Sequence, residues 1–303
     1  MLSAESVPSP ASPGCARGPA CAGSLRRLRV ALGTWVAIEA TAESEATAVC
    51  AIEAAFAAVA QVERRMHPER AGSDIARINS APLHVQTPIH ASTWEVLRLA
   101  QRLNGLTDGV FDPCLPLRPG CLTDLELSGP SPGSEPWGVR RAPLALDLGG
   151  IAKGYAIDCA IAALRAAGCH AGAVNAGGDL RLFGARRETI LLRHGDHGYR
   201  ALALQNAALA VSDLDEPRRP PGHRGYYVRS GAAAALRRYA AVLAPDAMIA
   251  DALTKCVLLC SDERASRTVA ELGGRDVTEA RAARIAAASS LTGHPASAPP
   301  ENQ

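Results

Sequence analysis

Two paired-glycine corners constrain this chain more than any other feature. The first is Asp147-Leu148-Gly149-Gly150-Ile151-Ala152-Lys153-Gly154-Tyr155. The apolar run 143–148 reads as a short strand, and the residues after the glycines predict a helix from about Ala152 to Ala167, closed by Gly168. A strand that runs through paired glycines into a helix gathers backbone N–H groups at a helix N-terminus, an arrangement suited to a phosphate. Gly149 and Gly150 let the main chain come close, and Lys153 adds a cation in the first turn. The spacing is not that of a Walker A loop, since no Ser or Thr follows the lysine, nor is it G-x-G-x-x-G. A glycine pair before a helix is also an ordinary tight turn, so this corner alone leaves both readings open.

The second corner is Asn175-Ala176-Gly177-Gly178-Asp179, between two strand-like runs. It reads as a hairpin turn with positive φ. The functional alternative is a turn packed beside the first corner, giving a ligand close access to backbone. A third signal is Ala250-Asp251-Ala252-Leu253-Thr254-Lys255 on a predicted helix from about Asp246 to Leu259. Asp251, Thr254 and Lys255 share one helix face. They form either an i,i+4 ion pair contributing about 0.2–0.5 kcal/mol or a hard-cation site with oxygens from Asp251 and Thr254. Gly109-Val110-Phe111-Asp112-Pro113 follows another predicted helix as a turn. Ser73-Asp74, with Arg77 and Asn79, reads as a serine-capped helix start.

Around these signals, 28–40 reads as one strand with a Gly-Thr interruption, and 44–66 as an amphipathic helix stopped by Pro68. A second helix covers the stretch up to Gly105, and a surface connection spans 128–138. Further strands fall at 188–193, 200–212 and 239–245, and a last helix near 262–272. Helices and strands mix without regular βαβ alternation, which predicts an α+β fold. Residues 1–27 read as a disordered leader, 28–290 as one domain and 291–303 as a tail.

A net charge of +2 offers no electrostatic footprint for nucleic acid. No uninterrupted apolar run approaches the roughly 18 residues of a membrane span, and the N-terminus lacks the apolar region of a secretory signal. The nine cysteines are scattered and read as reduced, small buried hydrophobes. These points predict a cytoplasmic location.

Taken in order, the pieces resemble the ApbE family of FAD:protein FMN transferases. LGTWVAI resembles its opening strand, VERRM with SDIARIN its helix and following segment, and DGVFDP its Gly-x-Phe-Asp-Pro element. DLGGIAKGYAID and VNAGGDLRLFG resemble its two best-known motifs, and DAMIADALTK its metal-binding helix. The likeness covers roughly 28–275, and six elements in the right order are far more specific than any one.

The resemblance implies FAD in a cleft and a magnesium ion at its pyrophosphate. A Thr or Ser hydroxyl of a target flavoprotein attacks the FMN phosphorus and AMP leaves. By this likeness Asp251 ligates the metal together with the Ala152 carbonyl. Gly149, Gly150, Lys153, Asp158, Asn175, Gly177, Gly178 and Asp179 line the FAD cleft. Ser73 and Asn79 approach the nucleotide from the other side, and Asp112 lies near. Two positions depart from the pattern. Lys255 stands where the family usually has Thr, so that either Thr254 substitutes or the Lys255 ammonium replaces part of the metal's charge. The stretch 226–231 lacks the family's His and Asp. Those departures keep two other readings in view, an FAD-binding protein with impaired transfer and a magnesium-dependent FAD pyrophosphatase.

Overall fold

The computed structural model describes residues 23–114, 120–194, 198–214 and 236–278. The departing stretch 226–231 and the tail from 291 lie outside the described residues. The framework is a seven-stranded sheet. Its strands, in chain order, are β1 (Ser24–Ala31), β2 (Thr34–Thr41), β6 (Ala171–Ala176), β7 (Asp179–Phe183), β10 (Ala208–Asp213), β11 (Tyr239–Ala244) and β12 (Arg275–Asp276), and they are neighbours in that same order. Every pairing in it is antiparallel. A second sheet joins β3 (Thr87–Pro88), β5 (Trp137–Arg140) and β4 (Leu125–Ser128). A hairpin pairs β8 (Arg187–His194) with β9 (Gly198–Gln205). The α+β expectation holds.

Alternation along the central strands assigns the two faces of the large sheet. Val174 and Ala176 of β6, Ala208 and Ala210 of β10, and Ala240, Val242 and Ala244 of β11 face the main core. There they meet α1 (Glu45–Met66), α4 (Ala152–Ala166) and α5 (Ala247–Leu259). Ala173, Leu180, Leu182, Leu209, Ala241 and Leu243 point the other way and pack with Leu192 and Leu204 of the β8–β9 hairpin. Helix α1 is long and apolar enough, by length and composition, to cross a membrane. In the fold, its Ile52, Phe56, Val59 and Val62 are buried in the main core.

Several boundaries differ from the sequence expectation. The run 28–40 is a hairpin, not one strand, and β1 begins at Ser24, inside the expected leader. Leu32 and Gly33 form its turn, both with positive φ, as a type I′ turn requires. The stretch 200–212 breaks at Asn206, which also has positive φ, into strands of two different sheets. Residues 143–148 form no ladder. Asn79 takes the place of a strand there: its Oδ1 accepts from Leu146 N–H at 2.7 Å and its Nδ2 donates to Leu146 O at 2.9 Å. Part of the expected surface connection at 128–138 belongs to β4 and β5. Cys114, Cys169, Cys256 and Cys260 are buried thiols, but Cys50 and Cys121 are exposed.

Two joints lock the helices. Helix α2 (Asp74–Ser80) begins with the buried Asp74, which receives the Thr93 hydroxyl at 2.6 Å, the His90 N–H at 3.0 Å and the Arg77 guanidinium. These contacts tie α2 to the start of α3 (Ala91–Leu106). The other joint is where α4 meets α5. A Cβ on Gly154 would lie 2.1 Å from the Ala247 carbonyl oxygen and 2.8 Å from Asp251 Cβ. Only glycine permits that approach, because the obstruction is backbone and no rotamer relieves it.

Gly154→Ala is expected to force the two helices apart at a cost of about 3 kcal/mol, read by urea denaturation; an unchanged midpoint would mean the contact is loose. Burial alone would raise the Asp74 pKa, but the bonds from Thr93, the His90 amide and Arg77 outweigh it and hold the carboxyl below its ordinary value. The folded value lies below the unfolded one, so this stabilisation is present at neutral pH and lost as pH falls through the folded value. Asp74→Asn is expected to cost about 2 kcal/mol at neutral pH and distinctly less near about pH 2. Equal losses at both pH values would remove the carboxylate from the account.

Candidate functional site

Two tight turns stand side by side at one end of the sheet. β2 pairs with β6 so that Val36 faces Ala176, which brings the turn at Leu32–Gly33 beside the turn at Gly177–Gly178. Gly177 N–H donates to Trp35 O at 3.2 Å. Gly177 has φ +60 and a Cβ there would lie 2.8 Å from Thr34 Oγ1, so the two turns touch with no room for a side chain. Asn175 Oδ1 closes the second turn by accepting from Gly178 N–H at 3.2 Å.

These turns form one wall of a cleft of about 700 Å³. The Asp147–Gly149 corner with Ala152 and Lys153 at the head of α4 forms another, and Val62, Glu63, Met66 and His67 at the end of α1 a third. The volume falls within the roughly 300–1,000 Å³ of small-molecule and cofactor sites. The first helical turn of α4 therefore faces the cleft with a lysine in it, which favours an anion there.

Lys153 is held rather than free. Its Nζ lies 2.7 Å from Oδ2 of Asp179, which is buried and anchored in turn by the Val211 N–H at 3.0 Å. Burial works against the lysine's charge, but Asp179 and Asp251 outweigh it and keep the ammonium above the ordinary lysine range. Burial pushes the Asp179 carboxyl upward, with Lys153 pulling against it. About a quarter of the Lys153 side chain remains exposed, toward the cleft.

Behind this wall lies a second charged pair. Asp251 is fully buried; its Oδ2 accepts from Gly154 N–H at 3.0 Å and its Oδ1 from the Lys255 ammonium. Lys255 Nζ also donates to the Asp251 carbonyl at 3.0 Å. The lysine stem runs under the first glycine corner, where a Cβ on Gly150 would be 3.6 Å from Lys255 Cε. A small cavity of about 20 Å³ is bordered by Asp112, Asp147, Gly150 and Lys255. That is room for about one water.

The expected residues thus divide. Gly149, Ala152, Lys153 and Gly177 border the cleft, and Asp179 holds Lys153. Gly178 lies in the same turn as Gly177. Gly150, Asp251 and Lys255 lie one layer behind. Others are structural joints. Ser73 caps α2, accepting from Ala76 N–H at 2.9 Å and donating to His67 O at 2.7 Å. Asn79 holds the 143–148 segment. Asp112 accepts from Cys114 N–H at 2.8 Å and Leu122 N–H at 3.1 Å. Asp158 is engaged by Arg181 and accepts from Ala247 and Met248 N–H at the head of α5. Their side-chain groups are occupied in holding backbone, so none of these four borders the large cleft. Unexpected borders are Thr34, Glu63 and His67; Thr34 and Glu63 fall inside LGTWVAI and VERRM, but nothing in those segments marks either side chain as a cleft residue. Gly154 did carry one: a glycine inside a helix costs about 1 kcal/mol against alanine, so its presence needs a packing reason.

The donor set does not fit a divalent ion as it stands. Both Asp251 oxygens have partners, and Thr254 Oγ1 lies 2.8 Å from Ser212 Oγ while donating to Asp251 O at 2.7 Å.

The chain is similar to known proteins over most of its length. An FAD:protein FMN transferase of Vibrio cholerae is 28% identical over 155 residues, 43% of this chain and 45% of that protein, so the chain matches less than half the length of this curated relative. An ApbE protein from Thermotoga maritima superposes with a TM-score of 0.69 at 23% identity, covering 83% of this chain and 92% of its own. The flavinyl transferase ApbE of Pseudomonas stutzeri gives 0.68 at 18% identity, over 84% and 91%. The ApbE family model matches residues 32–118 and 121–278, which contain both glycine corners, α4 and α5, and the chain belongs to the ApbE family.

Proposed function

We infer that this chain binds FAD in the cleft beside Lys153 and transfers its FMN half to a Ser or Thr hydroxyl of a target flavoprotein. The observation that carries this reading is the head of α4, with a salt-bridged lysine, facing a cleft between two glycine turns in a chain of this family. The relative from Vibrio cholerae, named as an FAD:protein FMN transferase, supports the choice of substrate and reaction. Phosphoryl transfer needs positioning and charge neutralisation more than covalent help from the protein. The acceptor oxygen bonds to the FMN phosphorus, the bond from that phosphorus to the bridging oxygen breaks, and AMP leaves with the bridging oxygen while the hydroxyl proton is released. Lys153 and the N-terminus of α4 lie where they can neutralise the pyrophosphate. Gly177 and Gly149 allow main chain within reach of the dinucleotide.

Magnesium belongs to this reading through the resemblance alone. A magnesium ion bound there would neutralise pyrophosphate oxygens, but Asp251 and Thr254 are already engaged. That engagement favours a second reading, in which the chain holds FAD and transfers poorly.

The test is release of AMP from FAD by the purified protein, with an acceptor peptide containing a Thr or Ser, followed by mass spectrometry of the peptide. AMP release with FMN joined to the peptide is the expected outcome. Tight FAD binding with no AMP would leave the binding reading. Lys153→Gln keeps a donor for Asp179 and removes the charge, and it is expected to weaken FAD binding about tenfold or more. Unchanged affinity would take the pyrophosphate away from the head of α4.

A further inference from the structure

Among the described residues, each of the two buried carboxylates behind the cleft has an ammonium partner. Asp179 is matched by Lys153 and Asp251 by Lys255. The Lys255 ammonium contacts both the carboxylate and the main-chain carbonyl of Asp251, and the carboxylate is the group a hard cation would use on that residue. It is only 6% exposed, so it is not a surface i,i+4 partner that swings away at little cost. A dication could reach Asp251 only by driving a buried ammonium from a carboxylate, against both their attraction and the repulsion of two further positive charges. Thr254 gives little relief: its hydroxyl donates to the Asp251 carbonyl and pairs with Ser212, which leaves one neutral lone pair to offer an ion.

We propose that Lys255 is a resident cation: its ammonium takes the position on Asp251 that a divalent ion would take, so this chain handles the dinucleotide without metal at Asp251. The lysine is tethered by its own helix and roofed by Gly150, and the face of that corner at Gly149 and Lys153 borders the cleft. A tethered ammonium neutralises without needing a free ion, but it presents one charge instead of two and brings no coordinated water. Lys255 is on this account a positioning residue, acting through Asp251 and the glycine corner. The proposal rests on the FAD reading only for its ligand; the metal preference of Asp251 is a property of the protein alone.

The test has two arms. In the first, the FAD-free protein is titrated with manganese and bound ion is read by electron paramagnetic resonance, with thermal unfolding alongside. The wild type is expected to bind none at Asp251 and to keep its unfolding midpoint. Lys255→Thr is expected to bind one ion per chain and to rise in midpoint with manganese, because the metal now partners a carboxylate left alone. Lys255→Gln serves if the threonine variant does not fold. Manganese binding by the wild type that is lost in Asp251→Asn would overturn the proposal, as would a folded Lys255 variant that binds none. In the second arm, FAD affinity is measured in EDTA and in magnesium. The wild type is expected to agree within about twofold, whereas a loss of about tenfold or more in EDTA would overturn the resident cation. FAD binding under neither condition would sink the FAD reading, and the manganese titration would still decide Lys255.

Discussion

The Asp251 carboxylate sits where α5 meets α4 at the one position on α4 that has no side chain. One oxygen receives the Gly154 N–H and the other the Lys255 ammonium, so a buried charge is satisfied by a helix backbone and by its own helix at once. A buried ion with fewer partners would cost several kcal/mol. Its environment therefore specifies the separation of the two helices, the glycine at 154 and the path of the corner at 149–150 above Lys255. Asp158 completes the arrangement from the other side, because it sits on α4 and receives the first N–H groups of α5. The lysine at the cleft inherits its position from this junction through α4 and Asp179.

The sheet supplies the opposite wall. Antiparallel pairing of β2 with β6 places two type I′-like turns at the same end, and their contact excludes a Cβ at Gly177. The small residues of β6, β10 and β11 let α4 and α5 lie close against the sheet, which keeps the turns and the helix N-terminus on one side of the molecule. The β8–β9 hairpin covers the other face, so both sides of the central strands are buried and their register is specified twice.

The same polar residue types served two purposes that the sequence could not separate. Asn79, Asp112, Asp158, Ser73 and Asn175 are capable ligands on chemical grounds, yet each holds backbone: a segment without a ladder, a loop, a helix head, a cap and a turn. The backbone has to be paired wherever it is buried outside a helix or sheet. A site built from irregular segments therefore uses many polar side chains to make its frame and leaves few of them facing the ligand.

Local patterns in the sequence determined the helices from Glu45, Ala152 and Ala247, the hairpin at Gly177–Gly178, the α+β class and the order of motifs, since those depend on periodicity, caps and turn residues within a few positions. They also carried Lys153 and Asp251 as charged residues at special places. Only the tertiary structure decided that 28–40 folds back on itself, that Asn79 replaces a strand for 143–148, and that Thr34, Glu63 and His67 border the cleft. It alone decided that Lys255 turns inward to Asp251 instead of outward to water. The Asn79 bond and the cleft borders depend on surfaces that meet across long stretches of chain; the hairpin and the Asp251–Lys255 pair are local in sequence, but the burial that fixes them comes from other elements.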